Sequence, residues 1–247
     1  MNKVKTIILV VIATICCVAL LVGGILCSRR VDVSPCTKVH IVILDSLYRK
    51  NVSIQELEEY LIVNERYGLG QPMDQIDCYA IEQLLLQHDM IRTADCYKTA
   101  YGALCINLTQ RVPIYAFKVG EQVRLVDSDR RIMPCRTGMD TNLILLTGVI
   151  NEQTIRNEYF DFVSWLLEDP YWTVRMQNIH VQDPKNIVLT EKGQSYRILL
   201  GSLDGYTNKL KRLHDLYAKA FEQIGYPECK ELDLRFNGQV VERGGYR

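Results

Sequence analysis

The stretch Ile76–Tyr97, IDCYAIEQLLLQHDMIRTADCY, decides the architecture, because it passes from a helical to an extended pattern. From about Gln75 to His88, Ile76, Ala80 and Leu84 fall on one stripe, joined by Ile81 and Leu85, and Asp74 stands where a cap is needed. Residues 91 to 99 and 103 to 117 then read as two strands joined by a tight turn at Tyr101-Gly102, with Pro113 marking an edge or a strand end. Toward the N-terminus, VHIVILD at 39 to 45 reads as a β-branched strand ended by Asp45-Ser46. A helix follows from Ser53, where Ser53 and Glu56 have capping-box spacing and Ile54, Leu57 and Leu61 share a face; it stops before Gly68. The order is strand, helix, helix, strand, strand.

Toward the C-terminus, QVRLVDSDRRIMP at 122 to 134 places a turn at Asp127–Arg130 between short strands, and LILLTGVI at 143 to 150 adds another strand. A helix from about Glu152 to Leu167 carries Ile155, Tyr159, Phe162 and Leu166 on one face and ends at Asp169-Pro170. Residues 174 to 181, 186 to 191 and 195 to 200 form a meander whose last two strands join through Lys192-Gly193. A final helix from about Tyr206 to Ile224 puts Leu210, Leu213, Tyr217 and Phe221 on one side and Lys209, Lys211 and Arg212 on the other. In ELDLRF at 231 to 236, Leu232, Leu234 and Phe236 alternate with charged residues, the cleanest strand signal of the chain. Asn237-Gly238 then signals a hairpin folding 239 to 243 back onto it, with a bulge in one long strand as the alternative. The fold class is α+β, with the boundary between two regions near Lys118 to Gly120.

Residues 7 to 26, IILVVIATICCVALLVGGIL, carry no charge. At about 1.5 Å per residue that run matches a hydrocarbon core of about 30 Å, and it is longer than the apolar region of a cleaved signal. A lipoprotein signal at Cys27 would want a small residue where Leu26 stands. The expected arrangement is a short tail (1–6), a membrane helix (7–26), a linker (27–38) and a folded body. Lys3 and Lys5 before the span and Arg29 and Arg30 after it nearly balance, so charge leaves orientation open. A formal net charge of zero and a pI of about 6.9 exclude the basic field that nucleic acid binding requires. Outside the span, Cys96 and Cys105 flank the turn at Tyr101-Gly102 and are candidates for a disulfide; the alternative is that the body's cysteines are buried free thiols.

The four histidines, His40, His88, His180 and His214, show no metal-ligand spacing, and no cofactor motif is present. GQSYR around Ser195 has Arg197 where a nucleophile elbow needs its second glycine. A set of Ser195, His180 and Asp183 can be written down, but Lys192-Gly193 is better explained as a turn. Asp127 and Asp129 beside Arg130 and Arg131 read as a solvated turn. No catalytic residue is assigned, which favours an interaction protein over an enzyme.

Several motifs in order resemble the bacterial division family FtsQ/DivIB. They are VSIQELEEYL, the Ile76–Tyr97 stretch, LCINLTQRVPIYAF, VRLVDSDRRIMP, ILLTG, YRILLGSLDGYTNKLKRL and ELDLRF, behind a single apolar run. The resemblance departs at VDSDRR, where Arg130 stands in place of a usual glycine. It implies a POTRA domain (39–118) followed by an FtsQ-type β-domain (119–247), with the N-terminus cytoplasmic and the body periplasmic at the septum of the inner membrane. It further implies a non-enzymatic divisome scaffold that binds FtsB- and FtsL-like proteins and helps recruit septal peptidoglycan synthase machinery. The partner would add a strand at the C-terminal edge, and the residues fit that mode, with Leu232, Leu234, Arg235, Phe236, Val240 and Val241 as candidate binding residues and Leu232, Leu234 and Phe236 packed inward. The alternative is that 231 to 236 is a core strand already paired with Val240 and Val241. A membrane-anchored cell-envelope hydrolase using Ser195 or Asp127, or another POTRA-bearing assembly protein, are the competing functions.

Overall fold

The computed structural model describes residues 12–23, 34–45, 51–136, 139, 142–221, 225 and 229–244. Residues 12–23 form helix α1, with Ile12, Ile15, Leu20 and Leu21 exposed. The remainder of the apolar run 7–26 lies outside the described residues, among which no helix is long and apolar enough to cross a membrane. The folded body divides into two units, cut between Arg111 and Val112.

The first unit contains β1 (Lys38–Ile43), α2 (Ile54–Val63), α3 (Cys78–Gln87), β2 (Ile91–Lys98) and β3 (Ala103–Gln110). The sheet order is β1-β3-β2, with β1 parallel and β2 antiparallel to the central β3. Alternation along β3 buries Leu104, Ile106 and Leu108 on one face, and the unit's core also takes in Leu57 and Leu61 of α2 and Ile81 and Leu85 of α3. Ser53 caps α2, its hydroxyl accepting from the Glu56 amide at 3.1 Å, while the Glu56 carboxylate lies 3.4 Å from Nε2 of His88.

Helix α3 begins three residues later than the sequence suggests. The cap is Asp77, whose carboxylate accepts from the Ala80 amide at 3.0 Å, whereas Gln75 is held in a turn by its amide's bond to the Pro72 carbonyl. Ile76 is buried ahead of the helix, so its stripe position belonged to that turn.

The second unit contains β4 (Pro113–Val119), β5 (Gln122–Asp127), β6 (Ile132–Pro134), β7 (Ile144–Gly148), α4 (Glu152–Arg156), α5 (Glu158–Glu168) and α6 (Pro170–Arg175). It continues with β8 (Met176–Asp183), β9 (Asn186–Glu191), β10 (Arg197–Gly201), α7 (Tyr206–Leu216), a π-helical turn (Tyr217–Phe221), β11 (Glu231–Asp233) and β12 (Val241–Arg243). All its strands join one nine-stranded sheet in the order β12-β11-β10-β9-β8-β7-β4-β5-β6. Ile179 and Val181 of β8 and Leu189 of β9 form one core with Phe162, Val163 and Leu166 of α5 and Leu210 and Leu213 of α7.

The boundary corrects the sequence expectation. Residues 103 to 117 are two strands of different sheets: β3 ends at Gln110, and β4 pairs with β5 and, in parallel, with β7. Buried Gln110 ends the first sheet by receiving the amides of Asn51 and Val52 on its side-chain oxygen, at 2.8 and 3.1 Å. The expected helix 152–167 breaks at Asn157, and beyond its end Tyr171 and Trp172 lie in a further short helix, α6, with Pro170 in its first turn and Asp169 as cap.

Candidate docking edge of the second unit

Strand β11 is held on both sides. It runs parallel to β10, with Ile198 opposite Leu232, and antiparallel to β12, with Asp233 opposite Val241. The hairpin through Asn237-Gly238 therefore forms, and the sheet's outer strand at this end is β12 rather than β11. The Lys230 amide donates to the Arg243 carbonyl at 3.0 Å, which turns the backbone of Arg243 toward β11. Strand backbones alternate direction, so Glu242 presents its N–H and C=O away from β11. Among the described residues no strand lies on that far side.

The side chains expected to form the site divide. Leu232 and Leu234 are fully buried in the core, whereas Phe236 is 42% exposed and does not pack inward as expected. Strand β11 has ended at Asp233 before Phe236 is reached, so the alternation no longer governs it. The guanidinium of Arg243 lies 5.6 Å from the Phe236 ring centroid, placing that ring beside the outer strand. Val240 packs partly against the core.

The residue missing from the expected set is Asp233. It reads as solvent-facing in the ELDLRF alternation, yet it is completely buried. One carboxylate oxygen accepts from the backbone N–H and Nε of Arg235 at 3.0 and 2.9 Å. The other lies 2.7 Å from the Arg235 fork and 2.8 Å from that of Arg243. Hydrogen bonds from Arg235 hold the Asp233 carboxyl below the usual range against the opposing effect of burial, with the charge of Arg243 helping. One carboxylate thus pins β11, the turn after it and the outer strand together.

Gly201 makes room for this arrangement: with φ at +78°, a Cβ there would meet Cγ of Arg235 at 2.8 Å. The basic face expected on α7 also partly folds back, since Lys209 donates to the carbonyls of Leu200 and Ser202 and Arg212 to that of Leu234. These bonds tie α7 to the strand ends that carry the edge.

The residues of the competing hydrolase reading are engaged elsewhere. Ser195 is exposed in the turn before β10. Nδ1 of His180 is 2.9 Å from the Thr147 hydroxyl, and Asp183 accepts from the Lys185 amide and the Asn186 side chain in the β8–β9 turn. Asp127, expected to be solvated, is buried and accepts from the amides of Asp129 and Arg131 at 2.9 and 2.8 Å. In that turn Arg130 adopts φ of +62°, the conformation a glycine would take. Its side chain donates to the Arg156 carbonyl, pairs with Asp161 and lies 4.3 Å over the Phe160 ring.

The proposed Cys96–Cys105 disulfide is also corrected. Cys96 is opposite Ile106 and Cys105 opposite Tyr97, so the two thiols lie on opposite faces of the sheet. Among the described residues no group of three or more His, Cys, Asp or Glu side chains is arranged to hold a metal.

The second unit is a mixed parallel and antiparallel sheet with β12 as one outer strand, and a small three-stranded α+β unit precedes it in the chain. The family described as FtsQ/DivIB, C-terminal related, matches residues 112–242, and a POTRA-like domain matches residues 34–109. The chain belongs to the FtsQ/DivIB C-terminal related family and is a division-associated protein with a POTRA-like domain. No curated protein matches it.

Proposed function

We propose that this chain is a non-enzymatic, membrane-anchored scaffold of the bacterial divisome. It binds FtsB- and FtsL-like single-span proteins by strand addition to β12 and so helps recruit and regulate septal peptidoglycan synthesis. The observation that carries this reading is the outward-facing backbone of Glu242 on an outer strand pinned by Asp233, in a chain of the FtsQ/DivIB family. The uncharged run 7–26, with the exposed apolar helix 12–23 inside it, is the anchor. The N-terminus is cytoplasmic and the two units lie in the periplasm, concentrated at the septum.

Depletion is expected to give filamentous cells that fail to septate; normal septation would refute the assignment. For the edge, Glu242→Pro removes the outward N–H while sparing the β11 ladder, because that N–H points away from it. Loss of the co-purifying single-span partners from detergent-solubilised membranes, with the second unit still folded, is the expected result. Retention of those partners would place the contact elsewhere.

A further inference from the structure

We infer that Cys78 and Cys96 form a disulfide joining the start of α3 to β2 in the first unit. Cys78 is the first residue of α3 and Glu82 follows one turn later on the same helix face. That face lies against β2, because the Glu82 carboxylate accepts the backbone N–H of Cys96 at 2.8 Å. The Cys96 side chain is on the covered side of the sheet, sharing its face with Ile106, and is buried. The Cys78 thiol adjoins it closely enough to raise its pKa.

The two thiols differ in access, and this orders the chemistry. Cys78 is partly exposed, whereas burial, with Cys78 and Glu82 adjoining, pushes the Cys96 thiol well up. The thiolate of Cys78 attacks one sulfur of an incoming dithiol-oxidant's disulfide, and the other sulfur leaves as a thiolate. Cys96, losing its proton, then attacks the Cys78 sulfur and releases the second thiolate. Two thiols lose two protons and two electrons in all, and the donor disulfide becomes a dithiol.

The occurrence of this bond in cells rests on the periplasmic placement proposed above, since such compartments are oxidising; its formation in the purified chain does not. The full chain, purified in detergent and equilibrated with oxidised glutathione, is acid-quenched, alkylated and digested with trypsin. The expected product is Tyr67–Arg92 joined to Thr93–Lys98, released by reductant, absent in Cys78→Ser and Cys96→Ser and retained in Cys105→Ser. The joined form is expected to unfold at a midpoint higher by on the order of 5 °C. Recovery of both cysteines as alkylated thiols or as separate glutathione adducts overturns the inference. The joined peptide is also expected from acid-quenched cells. A reduced pair in cells beside a joined pair in vitro would overturn the periplasmic placement and leave the thiol pair standing.

Discussion

Replacing Asp233 by alanine tests whether the outer strand is pinned by a single carboxylate. Asp233 is wholly buried, while its partners Arg235 and Arg243 have side chains 39% and 44% exposed. Removing one member of a fully buried pair costs about 3–5 kcal/mol because a charge is stranded out of water. Here both guanidiniums can swing into solvent, so the cost falls to about 2 kcal/mol. That energy bears on local opening of β12 from β11, where at about 1.4 kcal/mol per decade it corresponds to roughly 30-fold faster exchange. Amide hydrogen exchange on the full chain in detergent reads it directly. The amides of Val241 and Arg243, which face β11, should accelerate by that factor while those of β8 and β9 hold. Unchanged exchange in β12, or an equal acceleration throughout the sheet, would refute the pin. The wild-type pin also has a pH window. Because folding lowers the Asp233 pKa, its contribution is complete above the unfolded value of about 3.9 and disappears as pH falls through the folded value, so β12 protection should fail in acid.

Glu191 is buried beneath Tyr196 and Tyr217, whose hydroxyls lie 3.2 and 3.1 Å from one carboxylate oxygen, and burial raises its pKa despite those bonds and the charge of Arg175. A raised carboxyl pKa means that stability falls as pH rises above the unfolded value of about 4.3, so Glu191→Gln should raise the thermal midpoint by a few degrees at pH 8 relative to pH 4. A lower midpoint at pH 8 would show that the attraction of Arg175 dominates. Gly148→Ala should destabilise the second unit by about 3 kcal/mol or more in urea titrations, because φ is +103° and the new Cβ would press into the Val181 backbone, 2.9 Å from its nitrogen. A change below about 1 kcal/mol there would mean that β7 and β8 separate easily.

The sequence made most elements legible wherever one face of a helix or strand is buried. Alternation along β3 and β8 and the helical stripe of α5 are tertiary burial written directly into residue order. It misled where a polar group is covered. Asp233 looks like an outward strand position, and only the convergence of Arg235 and Arg243, one adjacent and one from the returning strand, makes its burial affordable. The boundary was missed for a related reason: residues 103 to 117 are extended throughout, and no local pattern tells which sheet an extended residue joins. Phe236 was misplaced because the strand ends three residues before it, and its aromatic character alone gave no sign of this. Cys78 and Cys96 escaped pairing because their proximity depends on how α3 lies against β2, a packing relation with no fixed spacing in the chain.

The hydrogen bond that the Cys96 amide donates to Glu82 closes part of a sheet edge. β2 is an outer strand of its sheet, as β12 is of the other, but at Cys96 the donor that an incoming strand would need is already occupied by a carboxylate from the chain's own helix. An arriving peptide would have to displace an ionic hydrogen bond there, whereas at Glu242 it meets a backbone group turned outward. At this point β2 is closed to strand addition by the chain's own helix, as β12 at Glu242 is not.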